Sequence, residues 1–397
     1  MKKDYFAIFL YKLILIYIVF DGFRDNLIIS TYISYFKEIS TLFLFLYIIL
    51  VRKIIIFDNI LFYILLIFLL LLIIFFPYSF MSYDYSNRYL SSPVIMYYKL
   101  LQFFILVYNF SIYELITKDK YENLLKFFIR LLIIYVIFTP IIYFYKPFFM
   151  VHHFEQWGRI NIGYPTMDAE NLVLGILLML FVFKERFIKA LIVFMFLFLG
   201  ILMQNTATGY ITLIAILSFY IFSRTKFKVN KKVLFILFIL LFIIVGYIIY
   251  RYADVLHNQL FLLERKINSI INPESSRSLS LRRQEFHSLI IYLQDWFTNL
   301  FGIGFKIYLE NQYDWFRIGT GLIGYIIYIV FLSSLIIYGW FIRNKDRNIL
   351  FLSSVVFALT SYSLITLYLF PTEASFAMMI GYSVHLQRRY KIAQVSN

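Results

Sequence analysis

Three arginines, Arg277, Arg282 and Arg283, stand close together in the one long stretch of this chain that is not apolar, Arg251 to Gly324. A guanidinium presents a planar fork that meets two phosphate oxygens at once and stays charged at any relevant pH. Such a cluster beside a membrane suits a lipid-linked phosphate or pyrophosphate. Plain solvation, or attraction to anionic headgroups, is the simpler reading. Two carboxylates, Glu310 and Asp314, follow Phe301-Gly302-Ile303-Gly304-Phe305. Either can take the proton of a sugar hydroxyl as a general base, or be an exposed acid in a loop. Arg159 lies between Trp157-Gly158 and Gly163-Tyr164-Pro165, where a charge at membrane depth faces a cavity or pairs with Glu155. Asp21 and Asp25, in a short polar segment after the first apolar run, are further acidic candidates.

Other chemistry is not expected. His152-His153 with Glu155 is a poor metal site, because adjacent histidines share one ion badly and no third strong ligand is evident. The absence of cysteine excludes disulfides and thiolate ligands. Gly302-x-Gly304 lacks the strand–turn–helix setting of a nucleotide fingerprint. Neither a metal nor a cofactor is therefore expected.

The elements that must position these residues are membrane helices. Hydrophobic residues make up 62% of the 397 positions and charged residues 15%, with mean hydropathy +0.80, too apolar for a soluble domain. Apolar runs predict helices at 4–20, 28–51, 59–77, 94–116, 127–145, 168–183, 187–203, 208–222, 233–250, 319–341, 349–370 and 372–387. No small-residue cleavage site follows Met1-Lys2-Lys3 and the first run, so the first helix is expected to be retained. Basic residues alternate between loops: Arg52-Lys53, Lys118 to Lys126, Lys184 to Lys189, Arg224 to Lys232, Arg343 to Arg347 and Arg388 to Lys391 fall on one side. The positive-inside rule makes that side cytoplasmic, giving an all-α polytopic protein of about 12 transmembrane helices with both termini inside. The whole of 1–397 forms one transmembrane domain, and 251–318 is its long outer loop. The net charge of +15 follows largely from this topology, so no nucleic-acid partner is expected.

Within that loop, Ser280 can cap a helix running to Phe297, with Leu289, Leu293 and Trp296 on one stripe of an amphipathic surface. Spacing allows Arg282 to pair with Glu285, and places Arg283 and His287 on a neighbouring face.

These residues resemble the bacterial O-antigen polymerase family (Wzy-type), which is related to the O-antigen ligases. Three pieces carry the resemblance. Arg277-x4-Arg282 leads to Asn299-Leu300-Phe301-Gly302-Ile303-Gly304-Phe305, like the family's arginine-bearing outer loop that ends in a Gly-Ile-Gly turn. Gly321-Leu322-Ile323-Gly324 matches its Gly-x-x-Gly at the next helix, and Arg159 to Asn171 is similar to a further segment. At the place where ligases carry a histidine–asparagine pair, this chain reads Glu310-Asn311, which favours polymerase over ligase. The family's Ser-Arg has no counterpart after Gln204 to Gly209.

The resemblance implies a glycosyltransferase on the periplasmic side of the inner membrane, joining undecaprenyl-pyrophosphate-linked oligosaccharide units. Arg282, Arg283 and Glu310 are then expected to be catalytic, with Arg159 and Arg277 binding substrate. The lipid-linked oligosaccharide, membrane lipid and a chain-length regulator protein are the expected partners. Ligase is one alternative. A flippase for the same lipid is another, although flippases generally lack one dominant outer loop and show related halves.

Overall fold

The computed structural model describes residues 3–24, 27, 35–56, 58–75, 93–147, 160–183, 187–223, 277–305, 309–341 and 347–395. Among the described residues the chain is all-helical, without a β-strand. The first half contains α1 (Tyr5–Arg24), α2 (Phe36–Leu46, running into a π turn at Tyr47–Val51), α3 (Asn59–Phe75), α4 (Pro93–Ser111), α5 (Tyr113–Thr117), α6 (Tyr121–Tyr145) and α7 (Pro165–Phe181). Then come α8 (Phe187–Gln204), α9 (Ala207–Ser223), α10 (Arg277–Ile290), α11 (Trp296–Phe301), α12 (Gln312–Phe341), α13 (Arg347–Ser361) and α14 (Phe370–Val395).

Three of these helices are long and apolar enough to cross a membrane: Tyr5–Gly22, Tyr121–Tyr145 and Gln312–Phe341. α3 and stretches of α8, α9 and α13 are apolar but shorter. Their outer surfaces are as apolar as their inner ones. On α12, Leu322, Ile326, Val330 and Ile337 point away from the protein, while Gly324, Tyr328, Phe331 and Leu335 face inward. Such a helix hides nothing polar behind an apolar face, as lipid requires.

Several helix boundaries differ from the sequence pattern, each for a local reason. The run 349–370 is divided: α13 stops at Ser361, where the Thr360 carbonyl accepts from the amides of Ser363 (2.8 Å) and Leu364 (3.0 Å). α14 then restarts at Phe370, with Pro371 in its first turn, where a missing N–H costs nothing. α12 begins at Gln312, so the end of the expected loop 251–318 is helical, and it bends at Gly321. The amphipathic helix expected from Ser280 to Phe297 starts earlier, at Arg277, and stops at Ile290. After the 3-10 turn Ile291–Leu293, the Asp295 carboxylate accepts from the Thr298 amide (3.2 Å) and starts α11 afresh. Leu289 and Leu293 are buried as expected, but Trp296 is exposed. The run 233–250 and the segment His152 to Arg159 lie outside the described residues.

α14 packs most extensively on α4, α12 on α13, and α7 on α8. Polar clamps close both ends of the resulting bundle. At one end Lys3 Nζ meets Asp119 Oδ1 at 2.7 Å, Arg52 and Tyr47 bond Asp4, and Arg388 bonds Asp58 and the Ser111 carbonyl. Burial alone would raise the Asp4 carboxyl. Hydrogen bonds from Arg52, the Ala7 amide and Tyr47 outweigh it and hold the group below its ordinary value. Asp119 is held down in the same way, against its burial, by Lys3, Asn123 and Tyr113.

Candidate functional site

The other end gathers the candidate chemistry. α10 is anchored by Leu289. One turn before that anchor, it aims Arg282 across to Glu310, just ahead of α12. Arg282 Nε (3.0 Å) and Nη2 (2.8 Å) both donate to Glu310 Oε2. This pairing replaces the expected one with Glu285, which is exposed, as are Arg283 and His287. A local pair three positions apart is a weak surface contact. Glu310 offers instead a fixed acceptor beside a helix start, and Arg282 is more sheltered there (side chain 20% accessible) than Glu310 (43%).

The chain around Glu310 is held by its own capping. The Asn311 carboxamide oxygen accepts from the Tyr313 amide at 2.9 Å, and the Asn311 carbonyl from Trp315 at 2.9 Å. Asp314, in the first turn of α12, lies beside both Arg282 and Asn311. Two further bonds fix this helix start, Tyr313 Oη to the Ala358 carbonyl (2.7 Å) and the Leu367 amide to Gln312 Oε1 (3.1 Å).

The Gly-Ile-Gly turn and the Gly-x-x-Gly segment touch each other. The amides of Ile303 and Gly304 donate to the carbonyls of Ile318 (3.0 Å) and Gly319 (2.8 Å), so the turn docks on the first half of α12. Gly302 (φ +75) and Gly321 (φ +63) face each other so closely that a Cβ on either would sit 2.4–2.5 Å from the other's amide nitrogen. The contact carries Phe305 onto Trp315, ring centroids 4.3 Å apart, and onto Tyr97 of α4 at 5.6 Å.

Of the five predicted site residues, Arg282 and Glu310 are brought into direct contact, and Arg283 is exposed on the same helix as Arg282. Arg277 is the first residue of α10, and Arg159 lies outside the described residues. Asp21 is not in a loop. α1 continues to Arg24, and Asp21 is buried there, bonded to Lys37 Nζ at 2.7 Å.

That bond belongs to a set of buried charges on which no sequence expectation was placed as a site. Lys99 Nζ of α4 meets Glu38 Oε1 at 2.7 Å and Gln102 Oε1 at 3.0 Å. Glu373 of α14 is fully buried near Lys99, Lys37 and Glu38, and neither of its oxygens is hydrogen-bonded. On α7, Asp168 accepts from Tyr135 Oη (2.7 Å), and Asn171 donates to the Ile18 carbonyl (3.0 Å). Glu170 is buried between them. A signal was present, since charged residues inside apolar runs are uncommon and functional. Among the described residues, no group of three or more His, Asp or Glu side chains is placed to hold a metal ion.

Fold and site together define an all-helical bundle with membrane-length apolar helices and a polar face at one end. No protein-family model matches the chain, and a comparison with curated proteins finds no match.

Proposed function

We propose that the chain is a membrane-embedded glycosyltransferase, a repeat-unit polymerase that joins undecaprenyl-pyrophosphate-linked oligosaccharides on the periplasmic face of the inner membrane. The Arg282–Glu310 pair carries the reading. A hydroxyl of the acceptor sugar attacks the anomeric carbon of the donor; the new C–O bond forms as the bond to pyrophosphate breaks. Glu310 receives the hydroxyl proton, and the Arg282 donors not engaged by Glu310, with Arg283 beside it, neutralise the departing pyrophosphate. Arg277 and Arg159 are assigned to the lipid-linked phosphate. The topology of about 12 helices with cytoplasmic termini is part of the proposal. It is supported by the clustering of Lys3, Arg52 and Arg388 at the bundle end opposite Arg282.

Loss of the protein should leave surface lipid bearing a single repeat unit. Long lipid-linked polymer that is never attached would instead mark a ligase. Arg282→Ala should shorten the glycan, with a rate loss on the order of 10²–10³, as for one oxyanion donor. Arg282→Lys should rescue poorly, because an ammonium cannot reproduce the fork. Wild-type chain length in the lysine variant, at matched expression, would sink the reading.

A flippase is the second reading. The buried charges at Lys37, Glu38, Lys99 and Glu373 favour it, since carriers place ionisable groups between helices. Repeat units trapped on the cytoplasmic side after loss of the protein would select it.

A further inference from the structure

Glu170 presents a different problem from the paired carboxylates around it. It sits in the second turn of α7, 2% exposed, and neither carboxylate oxygen has a hydrogen-bond partner. No described Lys, Arg or His forms an ion pair with it. The Thr360 hydroxyl lies beside the carboxylate, but its proton goes to the Val356 carbonyl at 2.9 Å, so it turns oxygen lone pairs toward an anion. Next to Thr360, Ser361 Oγ is 3.1 Å from Tyr328 Oη and 2.7 Å from Thr366 Oγ1, and Tyr328 is within electrostatic reach of Glu170. All four hydroxyl residues are buried.

Acceptors thus converge on a buried carboxylate that has no cation. An ionised carboxylate in that setting is strongly unfavourable unless something positive accompanies it. A proton would serve one oxygen and leave the other orphaned. A divalent ion would leave excess positive charge, because one carboxylate and neutral hydroxyls supply a single negative charge. An alkali cation matches both the charge and the all-oxygen ligand set. The setting also suits it, since α13 ends at Ser361 and the chain to Phe370 is irregular, and broken helices are where membrane proteins place such ions.

We infer that Glu170, with the hydroxyls of Thr360, Ser361, Thr366 and Tyr328, binds one dehydrated alkali cation, tying α7 to the end of α13 and to the segment before α14. The site is separate from the Arg282–Glu310 pair and stands whether or not the glycosyltransferase reading does.

Sodium and potassium chloride are the probes, with choline chloride at equal ionic strength as reference, on the full-length protein in detergent. Thermal unfolding in sodium or potassium should be raised by on the order of a few degrees over choline, saturating as single-site binding does. Glu170→Gln should remove the difference while folding normally, since the amide keeps the shape without the charge. Thr360→Val should keep the response but raise the half-saturating concentration on the order of tenfold. Glu373→Gln, another buried carboxylate without hydrogen bonds, should leave the cation response intact. The inference fails if neither ion differs from choline between about pH 6 and 9, a range spanning raised carboxyl values. It fails equally if Glu170→Gln responds like the wild type.

Discussion

Gly321→Ala is the sharpest test of the docked turn. At φ +63 and ψ −160, Gly321 occupies backbone space that is essentially glycine's alone, and an alanine there costs about 1–3 kcal/mol. Its Cβ would lie 2.5 Å from Gly302 N and from the Leu300 carbonyl carbon and oxygen. These are backbone atoms, so no side-chain rotation relieves the clash, and overpacking adds about 1–3 kcal/mol. The sum, about 2–6 kcal/mol, is a large share of a typical stability of roughly 5–15 kcal/mol. Trp315 is the reporter, being buried against Phe305 and so sensitive to undocking. Thermal melts followed by tryptophan emission should show Gly321→Ala lowered by several degrees, with Trp315 partly exposed beforehand. Gly302→Ala, at φ +75, should behave alike, and the double variant should cost less than the two single costs added, because both break one contact. Melting of Gly321→Ala within about one degree of wild type, or strict additivity, would refute the reasoning.

Two other perturbations follow from the polar clamps. Lys99→Met should cost about 3–5 kcal/mol, read as lost detergent stability, because it leaves Glu38 buried without its cation; adding Glu38→Gln should restore much of that. Asp4 and Asp119 titrate below their ordinary 3.8 when folded, so their clamps contribute fully above that value and are lost as pH falls through the lower, folded values. Melting temperature should therefore be insensitive to these two groups from pH 7 to about 5 and drop below about pH 4, with Asp119→Asn showing a shallower acid limb.

Much of the helical architecture was legible because lipid allows few alternatives. Apolar runs such as 127–145, 187–203 and 208–222 are helices near the expected bounds. What failed was local. The stripe through Leu289, Leu293 and Trp296 has helical period, yet Asp295 interrupts it by capping a new helix, and periodicity alone cannot weigh a cap against a continuing turn. Glu285 was the nearest partner for Arg282 in sequence, whereas Glu310 becomes nearer only once the 302–304 turn docks on α12. Asp21 read as loop because it is charged, but Lys37 neutralises it inside the bundle. The two glycine motifs were each visible, and their mutual contact was not. Glu170 and Glu373 could have been singled out as charges within apolar runs. Which of them has a nearby lysine is decided by the packing of α14 on α4.

The lysine–carboxylate bonds of α2 also bear on how the chain is made. α2 carries Lys37 and Glu38 in its first turn, and their partners, Asp21 and Lys99, lie on helices synthesised before and after it. A lone charge at the centre of a helix entering lipid costs about 2.5–3.5 kcal/mol on insertion scales, less toward its ends. When α2 leaves the ribosome, α1 already offers Asp21 to Lys37, but Glu38 has no counter-ion until α4 emerges. The segment therefore becomes compatible with lipid in two instalments, and its lateral release from the insertion machinery is coupled to the arrival of Lys99. A nascent chain cut short before that point would present an unmatched acid within the bilayer, a mark by which membrane proteases can tell an unfinished chain from a complete one.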